Sequence, residues 1–162
     1  VSFGATSGAR AEVRQCARIV GATLTDDPET LTADYAIFAL DRRVERLPLA
    51  LDPEPLAPGD VVTVISSSPD RSGGSVHSVR ARRCVVDGAE AAARELGPRA
   101  HSVSWLGLCP IRPGNSGAPV LDALGKLRGL VHGGSAPFFA HAVMTPAARI
   151  SSRTGRATPA LP

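Results

Sequence analysis

The sequence predicts a mostly β protein in two units, joined by an extended connector and ending in a short helix. Three observations carry that reading. Short apolar and β-branched runs recur along the chain, bounded by turn residues. Gly and Pro, 16 and 14 of 162 residues, are scattered throughout, which suits many short strands better than a helical bundle. Four prolines fall within residues 47–59, a stretch that can be neither a central strand nor a helix. A hydrophobic content of 43% is enough to bury a core, which excludes a disordered chain. No apolar run approaches the roughly 18 residues a membrane-spanning helix needs.

Taken in order, residues 10–20 place Ala11, Val13, Gln15, Ala17 and Ile19 on one face at period two, a strand signal. Residues 26–30 read as a turn or surface loop. Asp34 then opens the apolar run Tyr35-Ala36-Ile37-Phe38-Ala39-Leu40, read as a buried strand. After the connector, residues 60–65 are strongly β-branched and form a strand, ended by the turn-rich residues 66–74. Residues 75–86 alternate as another strand, and 102–109 are strand-like. Residues 88–97, bracketed by glycines, are the best local helix signal. Residues 127–132 and 138–144 make a final strand pair. Thr145 and Pro146 then serve as N-cap and first position of a short helix. The polar, Pro-containing tail from Ser151 is expected to fray.

Charge says little about partners. The net charge of +3 is dispersed, and the one tight cluster, Arg80, Arg82 and Arg83, reads as a solvated strand face rather than a nucleic-acid patch. The three cysteines lie far apart without a C-x-x-C pair, which argues against zinc, and an odd count is no disulfide framework. Two buried thiols are the default for Cys84 and Cys109. A disulfide stays open if the segment between them is a hairpin excursion.

The segment that carries chemistry is Arg112-Pro113-Gly114-Asn115-Ser116-Gly117-Ala118-Pro119-Val120. Gly114 and Gly117 permit positive φ and close approach to the chain. Successive N–H groups in such a bend can converge as an anion-binding nest. A hydroxyl beside that nest is what acyl transfer requires, a nucleophile next to donors for the developing oxyanion. On physics alone a plain Gly-rich turn is the rival.

The order of segments goes further. Gly114 to Pro119, the strand opened by Asp34-Tyr35-Ala36-Ile37, and Gly129-Leu130-Val131-His132-Gly133-Gly134 together resemble the chymotrypsin-like, or trypsin-like, serine peptidases. Within that family they most resemble the HtrA-type and glutamyl endopeptidase branches of bacteria. The resemblance spans about residues 1–150. It implies an all-β fold of two antiparallel Greek-key β-barrels, the first incomplete, with a short C-terminal helix. The expected division is a partial first barrel over 1–46, the connector at 47–59, the second barrel and helix over 60–150, and a tail at 151–162.

The resemblance also implies roles. Ser116 would be the nucleophile and Asp34 the triad acid, with the backbone N–H groups of Gly114 and Ser116 as the oxyanion hole. Val131, His132, Gly133 and Gly134 would bind the substrate backbone as an added strand. A peptide or protein substrate is implied, with no metal, cofactor, nucleic acid or membrane span. The family's histidine precedes the aspartate, yet the first histidine here is His77. Truncation upstream of Val1 is the preferred explanation, and a catalytically inactive, peptide-binding fold is the alternative. His77 and His101 have no serine-adjacent context and read as surface residues, while His141, after Phe138 and Phe139 on the last strand, reads as structural or as a pocket rim. His132 is a candidate for the pocket or for a polar contact facing Asp34, because a one-residue step turns a strand side chain over. Pro110 occupies the position where trypsin-type enzymes carry a pocket aspartate, so Arg or Lys specificity is not expected.

Overall fold

The computed structural model describes residues 2–3, 12–23, 35–69, 77–87, 104–112, 114–134, 142–147 and 150. Their strands are β1 (Ser2–Phe3), β2 (Glu12–Val13), β3 (Cys16–Thr23), β4 (Tyr35–Leu40) and β5 (Val61–Pro69), then β6 (His77–Val86), β7 (Ser104–Gly107), β8 (Pro119–Leu121), β9 (Leu127–Gly134) and β10 (Ala142–Pro146). Six of them close an antiparallel barrel in the order β10-β7-β6-β5-β8-β9. The N-terminal unit consists of two ribbons, β1–β2 and β3–β4. The predicted helix at 88–97, the turn at 26–30, Asp34 and the tail lie outside the described residues.

The barrel forms because its strands alternate. On β5, Val62, Val64 and Ser66 are buried while Val61 is exposed; on β6, Cys84 and Val86 face inward beside them. With Leu106, Ile111, Ala118, Val120 and Val131 these residues make one contiguous core, against which Leu56 of the connector packs. Each fully buried valine contributes about 2 kcal/mol of transfer free energy, so the interior is held chiefly by small branched side chains. The turn-rich stretch expected to end β5 at Ser66 does not do so. Ser66 to Pro69 remain paired with residues 77–80, so cross-strand pairing overrides local turn preference.

Cys84 and Cys109 form a disulfide, which overturns the default of two thiols. The β6–β7 register, Val85 with Gly107 and Val86 with Leu106, would bring Leu108 opposite Cys84 if it continued. Leu108 instead takes a left-handed conformation, φ 51°, which ends the strand and seats Cys109 against Cys84. Both cysteines are fully buried. Closing a loop with a sequence separation of 25 stabilises the fold by about 3.5 kcal/mol in the chain-entropy account. Cys16 is free and exposed.

The N-terminal unit departs from its expected pattern. The single strand read over residues 10–20 is two, and the face expected at period two is exposed, with Val13 at 60% and Ile19 at 68%. Two register shifts, between Cys16 and Arg18 and between Ile19 and Gly21, break the alternation. Its shielded side carries Glu12, which accepts from Arg14 and from the Glu45 N–H. Likewise β4 is half-buried with alternating exposure, not the buried strand its apolar run suggested. At the other end β10 runs through Pro146, paired with Gly129, so Thr145 and Pro146 are strand rather than cap and first helical residue. Ala147 and Ile150, just beyond, are helical and buried.

The connector is extended, as its prolines dictate, and it is docked on the second barrel. Leu127 donates to Ala50 O at 2.7 Å, and Asp52 donates to Leu127 O at 3.0 Å. Arg128 gathers the ends of this contact: its guanidinium lies 3.4 Å from Asp52 and 3.3 Å from Asp122, and it donates to Glu54 O at 2.6 Å. Lys126 adds an ion pair to Asp52 at 3.1 Å. The Asp52 carboxyl is held below the ordinary carboxylate value, first by the Glu54 N–H and then by Lys126 and Arg128. Desolvation works against ionisation of Asp122, but the Lys126 and Leu124 N–H groups and Arg128 outweigh it and hold its carboxyl low as well.

Depressed carboxyl pKa values make a stabilising contribution that is complete above the unfolded value of about 3.9. It is lost as pH falls through the lower folded values. Urea midpoints measured between pH 5 and pH 2 should therefore decline, and Arg128→Met should both lower the midpoint at pH 5 and flatten the decline. A variant whose profile runs parallel to the parent's would contradict this.

Candidate active site

The chain from Cys109 to Val120 is fixed at several points, and the predicted nucleophile sits between them. The disulfide holds its start, and Ile111 and Ala118 enter the core on either side. Between them Asn115, itself buried, accepts from the Arg112 N–H through Oδ1 at 2.8 Å. Asn115 N–H donates back to Arg112 O at 3.0 Å, and Ala118 N–H donates to Asn115 O at 3.0 Å. Two interlocked turns result, and each needs a left-handed glycine: Gly114 at φ 92° and Gly117 at φ 84°. An L side chain at either position would cost about 1–2 kcal/mol.

Ser116 lies at the crest of the second turn and is exposed. Among the described residues, the N–H groups of Gly114 and Ser116 donate to no backbone carbonyl, whereas those of Asn115, Gly117 and Ala118 do. The two uncommitted donors flank the serine.

Strand β9 runs alongside. Gly117 donates to Val131 O at 2.6 Å and Val131 donates to Ala118 O at 2.9 Å, extending the β8–β9 ladder, which ends at Pro119 and Leu130. Beyond Val131 no described strand pairs with that edge of β9, while β10 covers the other edge. His132, Gly133 and Gly134 thus lie next to Ser116, with β10 on one edge and no described strand on the other. A Cβ added to Gly133 would meet no atom within 4 Å, so the strand faces open space there.

His132 is placed by a bulge. Gly133 pairs with Val143 and Val131 with Met144, so β9 advances two residues while β10 advances one. His132 is the extra residue, half-buried, with Val131 in the core beside it. A bulge re-aims a side chain, so the simple alternation used to assign its face does not apply. Asp34, His101 and His141 lie outside the described residues, and His77 opens β6 at the far end of its pairing with Pro69. No described group of three His, Cys, Asp or Glu side chains converges as a metal site would require.

Sequence reasoning missed two devices. Asn115 was read only as part of a tight glycine-bounded bend; its position three residues after Arg112 is the signal for a side chain that caps its own turn. The grip of Arg128 on the connector leaves no local signature, because its partners are 73–76 residues away in sequence.

The closed antiparallel barrel, with a glycine-flanked serine at one end beside an open strand edge, is a chymotrypsin-like arrangement, and solved structures bear out the fold. Kallikrein-related peptidase 10 is 19% identical and superposes with a TM-score of 0.70, over 93% of this chain and 74% of its own. The scabies mite inactivated protease paralogue S-I1 is 17% identical, with a TM-score of 0.71 over 91% of this chain and 68% of that one. An inactive mutant form of Rv3671c from M. tuberculosis H37Rv is 18% identical, with a TM-score of 0.59 over 95% and 70%. No curated protein matches the chain by sequence. Residues 3–130 match the trypsin-like peptidase domain, and the chain belongs to that family.

Replacing Asn115 by Ala leaves the Arg112 N–H without its acceptor. We expect a loss of about 1–3 kcal/mol in urea unfolding, with Asn115→Asp, which keeps an acceptor oxygen, losing less. Equal midpoints for Asn115→Ala and the parent would contradict the role.

Proposed function

We propose that this chain carries the serine half of an endopeptidase that hydrolyses peptide bonds through an acyl-enzyme, with Ser116 as nucleophile. The observation that carries the reading is the exposed Ser116 in a turn where, among the described residues, its own N–H and that of Gly114 donate to no backbone carbonyl, beside an edge of β9 that no described strand covers. A peptide laid along His132 to Gly134 as an added strand would bring a carbonyl over the Ser116 Oγ. As Oγ bonds to that carbon, its proton passes to the base, and the carbonyl oxygen takes the electron pair as an oxyanion. The Gly114 and Ser116 N–H groups would donate to it. Collapse of the intermediate expels the amine, which takes the proton back, and water then releases the acyl group by the same route.

In this reading Asp34 orients the base and stabilises its charged form, and the base is a histidine contributed by chain upstream of Val1. The motifs point to the HtrA-type and glutamyl endopeptidase branches. His132, half-buried beside the open edge of β9, is a positioning residue or part of the pocket wall. The alternative is a peptidase fold that binds extended peptides without cleaving them. It draws on the absence of any histidine before Asp34, and one structural neighbour is itself an inactivated protease paralogue.

A fluorophosphonate probe separates the two. The protein carrying the upstream histidine should be labelled at Ser116, while Ser116→Ala and the 162-residue chain alone should hardly react, since an unassisted serine is an ordinary alcohol. Failure to label a folded protein that carries that histidine would leave the binding module as the better account.

A further inference from the structure

Among the described residues, charge is segregated along the axis of the second barrel; Asp70 and Arg71, which follow β5 in the sequence, lie outside them. The barrel's described acids, Asp60 before β5, Asp87 after β6 and Asp122 after β8, all lie at one end, because these three strand ends are neighbours. The serine turn lies at the opposite end, where β8 begins. There the free charge is positive. Arg112 belongs to the turn itself, and Arg82 and Arg80 extend up β6 toward the same end.

Register fixes where these arginines stand. Val120, Val64 and Arg82 form one row across β8, β5 and β6. Arg80 is opposite Ser66, two residues closer to the end where the chain turns at Ser116. Val120, Val64 and Ser66 are buried, and opposite residues in a ladder share a face, so Arg82 and Arg80 continue the inward row begun by Cys84 and Val86. Arg82 is half-buried and Arg80 exposed. Among the described residues neither they nor Arg112 have a carboxylate partner, although Arg14, Arg42, Arg46, Lys126 and Arg128 all do. With no described carboxylate beside them, the half-buried Arg82 and the exposed Arg80 and Arg112 are available to an anionic ligand. The solvated strand face read from the sequence fits the exposed Arg83 and Arg80, while Arg82, on the inner row, is half-buried.

The sheet order also says which part of a substrate would meet them. β9 flanks the serine turn on one side and β5–β6 on the other. From β8 to β6 is two strand spacings, about 10 Å, within reach of an arginine side chain and an extended peptide. A peptide that adds antiparallel to β9 along Gly134 to His132 and continues across Ser116 would carry its carboxyl-terminal half toward the β5–β6 side. We infer that Arg80 and Arg82, with Arg112 beside the nucleophile, form a subsite for acidic side chains on the carboxyl-terminal side of the scissile bond. The inference rests on the peptidase-fold reading above. It concerns binding alone, so it holds for an active enzyme and for a binding module.

The test uses fluorescein-labelled ten-residue peptides of one neutral sequence, carrying two Glu or two Gln in either the carboxyl-terminal or the amino-terminal half. Fluorescence anisotropy reads their affinity for the 162-residue chain. The peptide with Glu in its carboxyl-terminal half should bind about tenfold tighter than its Gln counterpart, with the advantage shrinking at high salt. Arg80→Gln with Arg82→Gln should abolish that advantage and leave the Gln peptide unchanged, which also reports that the fold is intact. Arg80→Glu with Arg82→Glu should turn the preference toward Lys. Equal binding of Glu and Gln peptides would overturn the inference and spare the peptidase reading. So would an advantage that survives both substitutions, or one confined to the amino-terminal half. Failure of every peptide to bind would instead overturn the peptidase reading itself, since that reading has β9 hold the neutral backbone.

Discussion

Two hydrogen bonds, from Gly117 to Val131 and from Val131 to Ala118, fasten the serine turn to β9, and the site depends on them. They consume the Gly117 N–H, while among the described residues those of Gly114 and Ser116 donate to no backbone carbonyl. They also use both backbone polar groups of Val131, beyond which no described strand pairs with that edge of β9. If these bonds were lost, Ser116, the Gly114 and Ser116 N–H groups and the edge of β9, the parts that the proposed chemistry uses, would move independently. A site of this kind requires them to hold one geometry to within a fraction of an ångström.

The rest of the second unit keeps that contact in place. Val131 is buried in the core with Val64 and Val120, so the strand that bears the edge is anchored by its own side chain. The disulfide fixes the entry to the loop, and Leu108 adopts a left-handed conformation that brings Cys109 to it. From the opposite end Arg128 pulls the connector onto β9. The connector is thus part of the second barrel's surface, and chain entering from the N-terminal unit is aligned with the strand that would hold a substrate.

The fold class was legible because β-branched alternation, glycine and proline act locally: residues 61–65 and 127–132 are strands as read, and the connector is extended. What was misread depends on long-range pairing. Ser66 to Pro69 have turn composition, but residues 77–80 supply partners for their backbone groups. Val13 and Ile19 form an apolar row in the sequence, yet both are exposed: Glu12 and Arg14 take the shielded positions beside Val13, and two register shifts break the alternation along β3. The disulfide could not be chosen over two thiols without knowing that Leu108 turns the chain. At the site, the Gly-Asn-Ser-Gly bend was visible through its glycines. The donor assignments within it, and the bulge that sets His132, are properties of β9 and β10 and leave no local mark.

The central claim is that the Ser116 turn presents two N–H groups to an oxyanion. The most direct measurement follows the Gly114 and Ser116 amides by NMR in protein carrying the upstream histidine, as a peptide boronate is added. The boronate carries a negative oxygen once it bonds to a serine. The account predicts that both amides shift downfield and exchange more slowly with solvent, while Gly117, already bonded to Val131, changes little. A boronate adduct at Ser116 that leaves both amides unshifted would contradict it.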